Sequence, residues 1–220
     1  MRGSFKWLGI VTVVAIAAVG AWWVLAERGA VPAPAPITIA APAQPVAVGA
    51  DGCLGGADPH TAILAAHDSA ALDTFGAAGF ARTFIRWISA VPSDPQAAVV
   101  VPLVTVNADT ANQVAASMTA YNSRVLTAGD TRSGVIPGGT DDVYRIVNAD
   151  PAGASITVTV VTHQQSTLPD GSHTPELRSI ATVILDVING KWVAAGSQLQ
   201  GTDPYAAIPG VPFVPFAGAC

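Results

Sequence analysis

Twenty consecutive residues, Trp7 to Ala26 (WLGIVTVVAIAAVGAWWVLA), carry no charge, and nothing else in the chain restricts its architecture as much. At about 1.5 Å of rise per residue, a helix of that length crosses the roughly 30 Å hydrocarbon layer of a bilayer. Arg2 and Lys6 precede it while Glu27 and Arg28 cancel beyond it, so the positive-inside bias keeps the N-terminus cytoplasmic. Trp7 at one end and Trp22 and Trp23 at the other are spaced like an interfacial aromatic belt. The expected organisation is a cytoplasmic tail over 1–6, a single transmembrane helix over 7–26, a linker over 27–50 and an extracytoplasmic domain over 51–220. A cleaved signal peptide is the competing reading, with Val24 and Ala26 as the small residues before the cut, and it too leaves the domain outside. A lipoprotein anchor does not fit, because Cys53 lies far beyond the apolar segment and follows Gly-Ala-Asp-Gly.

Residues 29–50 hold Pro32, Pro34, Pro36, Pro42 and Pro45 among Ala and Val, a composition that favours polyproline II over helix or ladder. At ~3.1 Å per residue this spacer reaches up to roughly 70 Å from the membrane. An edge strand through Ile37–Ile39 is the alternative. The two cysteines, Cys53 and Cys220, fall on the oxidising side of that topology, and a disulfide between them is the natural inference; free thiols or an intermolecular bridge stay open. From Asp51 onward seven Arg or Lys stand against fourteen Asp or Glu, a net charge of −7. An acidic domain with no basic stripe argues against nucleic-acid partners and against peripheral docking on anionic lipid.

Helical spacing dominates the first half of this domain. The pattern predicts a helical region over Pro59–Ser89 with a break near Asp68–Asp73, ended by Pro92 and Pro95. Phe80, Phe84, Trp87, Ile88 and Val91 share one face, and Arg82 and Arg86 lie on another. A second helix is expected over Asp109–Leu126 with Asp109 as N-cap, and Val99–Val106 reads as either extended or helical. After a Gly-rich turn at Gly134–Thr140 the period shifts to two. Strands are expected over Asp142–Asn148, Ala154–Gln165, Arg178–Ile188 and Lys191–Leu199, the last two joined by Asn189-Gly190, a strong type I′ hairpin signal. Ile156, Val158 and Val160 alternate with Thr157 and Thr159. The Pro- and Phe-containing C-terminal segment is expected to wrap apolar surface as an extended tail without adding a regular element.

No residue pattern here carries a reaction. His60 and His67 are seven residues apart, about 10 Å along a helix, too far to share one metal ion. His163 and His173 flank a turn and would meet only across it. Asp141, Asp142 and Asp186 are the carboxylates placed to reach a concave sheet, and Asp186 alternates onto the face expected to be solvated. Gly55-Gly56 and Gly138-Gly139 lack the strand, spacing and Lys of a phosphate loop. No catalytic residue, cofactor or metal ligand is assigned, and an enzyme is not the expectation.

Helices followed by an antiparallel meander closing on VILDVINGKWVAAGS (Val183–Ser197), with Trp192 after the turn and the Phe80–Val91 face to fill a concave side, resemble the nuclear transport factor 2-like fold. The resemblance implies an α+β domain in which helices pack on a curved antiparallel sheet. A short tail, one anchor, a Pro-rich spacer and such a domain are similar to the bitopic scaffold subunits of type IV secretion and conjugation machines. They are similar also to actinobacterial membrane proteins associated with lipid-import systems, and the Asp51–Gly56 run and Ala/Pro-rich composition look like an actinobacterial conjugal-transfer protein. The implied function is a non-enzymatic scaffold or assembly component, its partners the membrane, other envelope or secretion-complex proteins and a possible homo-oligomer. The alternative is an extracytoplasmic ligand-binding module associated with lipid transport. A filled cone, with Phe84, Trp87, Phe213 and Phe216 inside, favours the first, and an open apolar cavity the second. A pocket holding a paired His and Asp would favour a hydrolase or isomerase, the third reading.

Overall fold

The computed structural model describes residues 58–135, 142–150, 153–199 and 212–216. The expected span 7–26, the linker 27–50, Asp141, Cys53 and Cys220 lie outside the described residues. Among the described residues no helix is long and apolar enough to cross a membrane.

Two helices occupy the region expected to be helical and broken: α1 (Pro59–Ser69) and α2 (Thr74–Ile88). Asp58 caps α1 by accepting the Thr61 N–H at 2.8 Å, and Pro59 fills a first-turn position where no N–H is needed. Asp73 caps α2 through the Gly76 N–H at 2.7 Å. The segment before α2 runs so close to Gly76 that a Cβ there would strike the Ala71 carbonyl, which explains the glycine. Val99–Val106, open between two readings, resolves into a short helix, α3 (Ala97–Val104), after which Thr105 is extended. In α4 (Ala108–Thr127) the N-cap is Asn107 and not Asp109. The Asn107 side chain accepts the Thr110 N–H at 2.9 Å, and Asp109 falls in the first turn, where its charge faces the positive end of the helix.

The second half forms one curved antiparallel sheet of β1 (Arg132–Val135), β2 (Val143–Ala149), β3 (Ser155–Thr167), β4 (Leu177–Ile188), β5 (Lys191–Leu199) and β6 (Val214–Pro215). The order is β5-β4-β3-β2-β6, with β1 paired to β3 beyond the end of β2. The Asn189-Gly190 hairpin has positive φ at both positions, 52° and 74°, as a type I′ turn requires. Irregularities at Ile146/Asn148 and Ile184/Leu185 bend the strands. Two departures from expectation occur here. Gly134 belongs to β1 and not to a turn, and the described part of the tail does add an element, since Val214 and Pro215 pair with Tyr144 and Val143 at the edge of β2. Pro215 is tolerated because an edge strand leaves one side of its backbone unpaired.

Helix α2 lies in the hollow of the sheet. Phe80, Phe84 and Trp87 are fully buried against Val158, Val160, Val183 and Leu185, with Trp192 of β5 in the same cluster. Each such aromatic contributes about 1.5–3 kcal/mol by burial. Arg82 and Arg86 are buried as well, even though they lie off the aromatic face, because neighbouring elements also cover that side of α2. The two buried indoles are satisfied: Trp192 Nε1–H donates to the Ala71 carbonyl at 2.7 Å, and Trp87 Nε1–H to Asp94 at 2.8 Å. Asp94 also binds the His60 ring at 2.7 Å and the Gln96 N–H at 2.8 Å, so one carboxylate joins α1, α2 and the start of α3. The outer edge of β5 is shielded where His67 Nδ1 meets the Trp192 carbonyl at 3.2 Å and the Val106 N–H bonds the Ala194 carbonyl at 3.0 Å.

Burial alone would raise the Asp94 carboxyl, but hydrogen bonds from His60, Trp87 and Gln96 outweigh it and hold it below the usual carboxylate range. A carboxyl depressed on folding stabilises the fold above its unfolded pKa, about 3.9 for Asp, and that stabilisation is lost as pH falls through the lowered value. Denaturant melts at several pH values should show Asp94→Asn costing about 1–2 kcal/mol at pH 7 and the gap to wild type narrowing as the pH drops below about 4. Gly76→Ala should destabilise by about 1–3 kcal/mol. Gly79→Ala, on the same helix but facing open space, should stabilise by up to about 1 kcal/mol.

Candidate functional site

The strongest concentration of polar chemistry inside the fold is centred on Asp142, which is 1% exposed at the start of β2. One of its oxygens, Oδ2, accepts from both Nε and a terminal nitrogen of Arg82, at 2.8 and 2.5 Å, so two charge-assisted hydrogen bonds converge on one atom. The other takes the His163 backbone N–H at 3.3 Å and the His163 ring Nδ1 at 3.0 Å. On the far side of that ring, Arg178 Nε–H donates to Nε2 at 3.1 Å. A guanidinium has no acceptor, so Nε2 carries no proton and Nδ1–H points at Asp142. Arg82 comes from α2, Asp142 from the start of β2, His163 from β3 and Arg178 from the facing position on β4. Burial pushes the Arg82 guanidinium below its ordinary value, and the Asp142 charge offsets part of that.

The C-terminal tail closes over this chain of contacts. The Phe216 N–H bonds the Asp142 carbonyl at 3.1 Å, its ring lies 4.8 Å from that of Tyr144, and the Arg82 guanidinium sits 4.9 Å above its centroid. Phe213 lies 5.0 Å beneath Arg145. Arg145 alternates with Tyr144 along β2, so the two phenylalanines straddle the edge of that strand, each against a cation.

An Asp–His pair suggests an oriented general base, and such a pair inside a pocket is the mark expected of a hydrolase or isomerase. Here the ring nitrogen that would accept a substrate proton is already engaged by Arg178, and both Asp142 oxygens are engaged by Arg82 and His163. The arrangement ties helix to sheet. His163 and His173 do not meet: His173 is exposed and its Nδ1 lies 3.3 Å from the Thr167 hydroxyl. Asp186 corrects another expectation. It occupies the face away from α2, as its register requires, yet it is 7% exposed and not solvated, because that face also buries Thr159, Val161, Ile180 and Val193. His60 and His67 serve Asp94 and the Trp192 carbonyl separately, and among the described residues no three His, Cys, Asp or Glu side chains gather as a metal site.

The sequence places Arg82 on a helix face off the aromatic stripe and Arg178 at the start of a strand, but assigns neither a partner. The available signal was an Arg in FGAAGFARTFIRWI, a helix otherwise too apolar to have a solvated face. In comparisons with known proteins, no family model, no curated protein and no solved structure matches the chain.

Asp142→Asn leaves the buried Arg82 charge uncompensated and should cost about 3–5 kcal/mol in chemical denaturation. Nitrogen-15 NMR of the His163 ring should find the Nδ1–H tautomer.

Proposed function

We propose that the protein is a membrane-anchored, non-enzymatic scaffold or assembly component of a conjugation or secretion apparatus, in which the segment 7–26 and the Pro-rich linker hold a nuclear transport factor 2-like domain outside the cytoplasm. The observation that carries this reading is the filling of the sheet's hollow by the side chains of α2: Phe80, Phe84 and Trp87 are 0% exposed, and the concave face is spent on them. Phe216 joins that cluster from the tail, while Phe213 goes to the opposite face of β2. The closed Asp142–His163 pair supports the same reading, because its lone pairs serve the fold. A domain built this way presents surface, and the outward side of α3, with Val99 68% and Leu103 51% exposed, is apolar surface suited to partner contact.

Mild crosslinking of the full-length protein in its own membrane, followed by affinity purification and mass spectrometry, tests the proposal. Co-recovery of conjugation or secretion ATPases and channel subunits is the expected outcome. Recovery of lipid-transport subunits, or of bound lipid without a protein partner, would overturn it in favour of a ligand-binding module.

A further inference from the structure

The edge of β2 divides into a well-held receiving side and a lightly held occupant. Along its other edge β2 is paired with β3 from Val143 to Ala149. Arg82 is fixed by Asp142, so the guanidinium face that meets Phe216 stays in place through contacts that do not include the tail. Tyr144 completes that side, and Arg145 turns its guanidinium to Phe213 on the other. The occupant is slight by comparison. Strand β6 has two residues, Pro212, Val214 and Pro215 are exposed, and Pro215 has no N–H to give a ladder. Beyond the two paired positions, the described tail is held by the Phe216 N–H on the Asp142 carbonyl and by its two rings. So few contacts are a small part of what holds a domain together, and the tail opens locally while the sheet stays folded.

The tail also shows what this edge recognises. In Pro-Phe-Val-Pro-Phe (212–216) the prolines keep the backbone extended, and a spacing of three sends the two rings to opposite faces of the strand, one to each cation. A vacated edge is a template for another extended chain, whose backbone supplies affinity and whose side chains supply specificity. Two guanidinium faces, one on each side of β2, favour aromatic over aliphatic side chains.

We infer that the β2 edge is a docking site for an extended segment of another protein that carries two aromatic residues three apart with proline before the second, and that Phe213–Phe216 is its resident competitor. The tail is tethered to the end of β5 through residues 200–213, which gives it a roughly millimolar effective concentration that a partner segment must outcompete. This docking does not depend on the scaffold reading. The test titrates a fluorescein-labelled peptide of residues 210–217 (GVPFVPFA) with the full-length chain in lipid nanodiscs, read by anisotropy with empty nanodiscs subtracted. Phe213→Ala removes one ring of the competitor and leaves Arg82, Arg145 and Tyr144 in place, so it should bind the peptide about tenfold more tightly than wild type. A peptide with leucine at both phenylalanine positions should bind that variant about tenfold more weakly. Hydrogen exchange of the wild type needs no variant: the Phe216 amide should exchange about 100-fold faster than that of Val160 on β3. No saturable anisotropy change with Phe213→Ala, equal affinity of wild type and variant, equal affinity of the leucine peptide, or Phe216 exchanging as slowly as Val160 would overturn the inference. Dimers of the wild-type chain that the peptide dissociates would assign the edge to a second copy's tail and overturn the choice of a different protein.

Discussion

The Asp142 carboxylate is the contact on which the rest of the domain depends. An α2 helix laid in the hollow of the sheet is a good way to fill it, but it carries Arg82 into the interior, and a guanidinium there is tolerable only with a matched anion. Asp142 supplies that charge from the start of β2, and by binding the His163 main chain and ring it fixes where β2 begins relative to β3. The same residue receives the tail through its carbonyl and holds Arg82 where its face meets Phe216. Helix layer, sheet and C-terminal segment are thus referred to one residue. The design follows from composition: a domain rich in Ala and Val packs smoothly but has few features that fix one register, and a buried network with few geometric solutions provides one.

Elements with strong local signals were readable from the sequence. Pro59 marks the first helix start, the break over Asp68–Asp73 precedes the second, Phe80, Phe84, Trp87 and Ile88 form the buried face of α2, and Asn189-Gly190 sets the β4–β5 hairpin, all governed by contacts a few residues apart. What escaped the reading is set by contacts between distant residues. Strand β1 is four residues long and contains Gly134, so only pairing with β3 and the bridge to Val91 makes it a strand. The solvated face assigned to Asp186 came from alternation, which gives a side of the sheet but not what covers it. The Arg82–Asp142–His163–Arg178 chain spans residues up to 96 positions apart, and no spacing rule joins them. The capping residue of α4 was missed by two positions because Asn107 and Asp109 both suit the role, and only the Thr110 hydrogen bond separates them.

Filling the hollow with α2 moves any binding function to the outside of the domain or to its ends. This gives the scaffold proposal its physical content: the described interior is filled by side chains of the fold, and the outward side of α3 carries exposed apolar residues, Val99 and Leu103.

The most direct test of this account is a double-mutant cycle of Arg82→Met and Asp142→Leu, read by chemical denaturation. If one ion pair holds the helix layer to the sheet, each single substitution strands the other buried charge and destabilises strongly, and the double variant recovers most of the loss, a coupling of about 2 kcal/mol or more. Losses that simply add would contradict it, and would mean that α2 is held by its aromatic face alone.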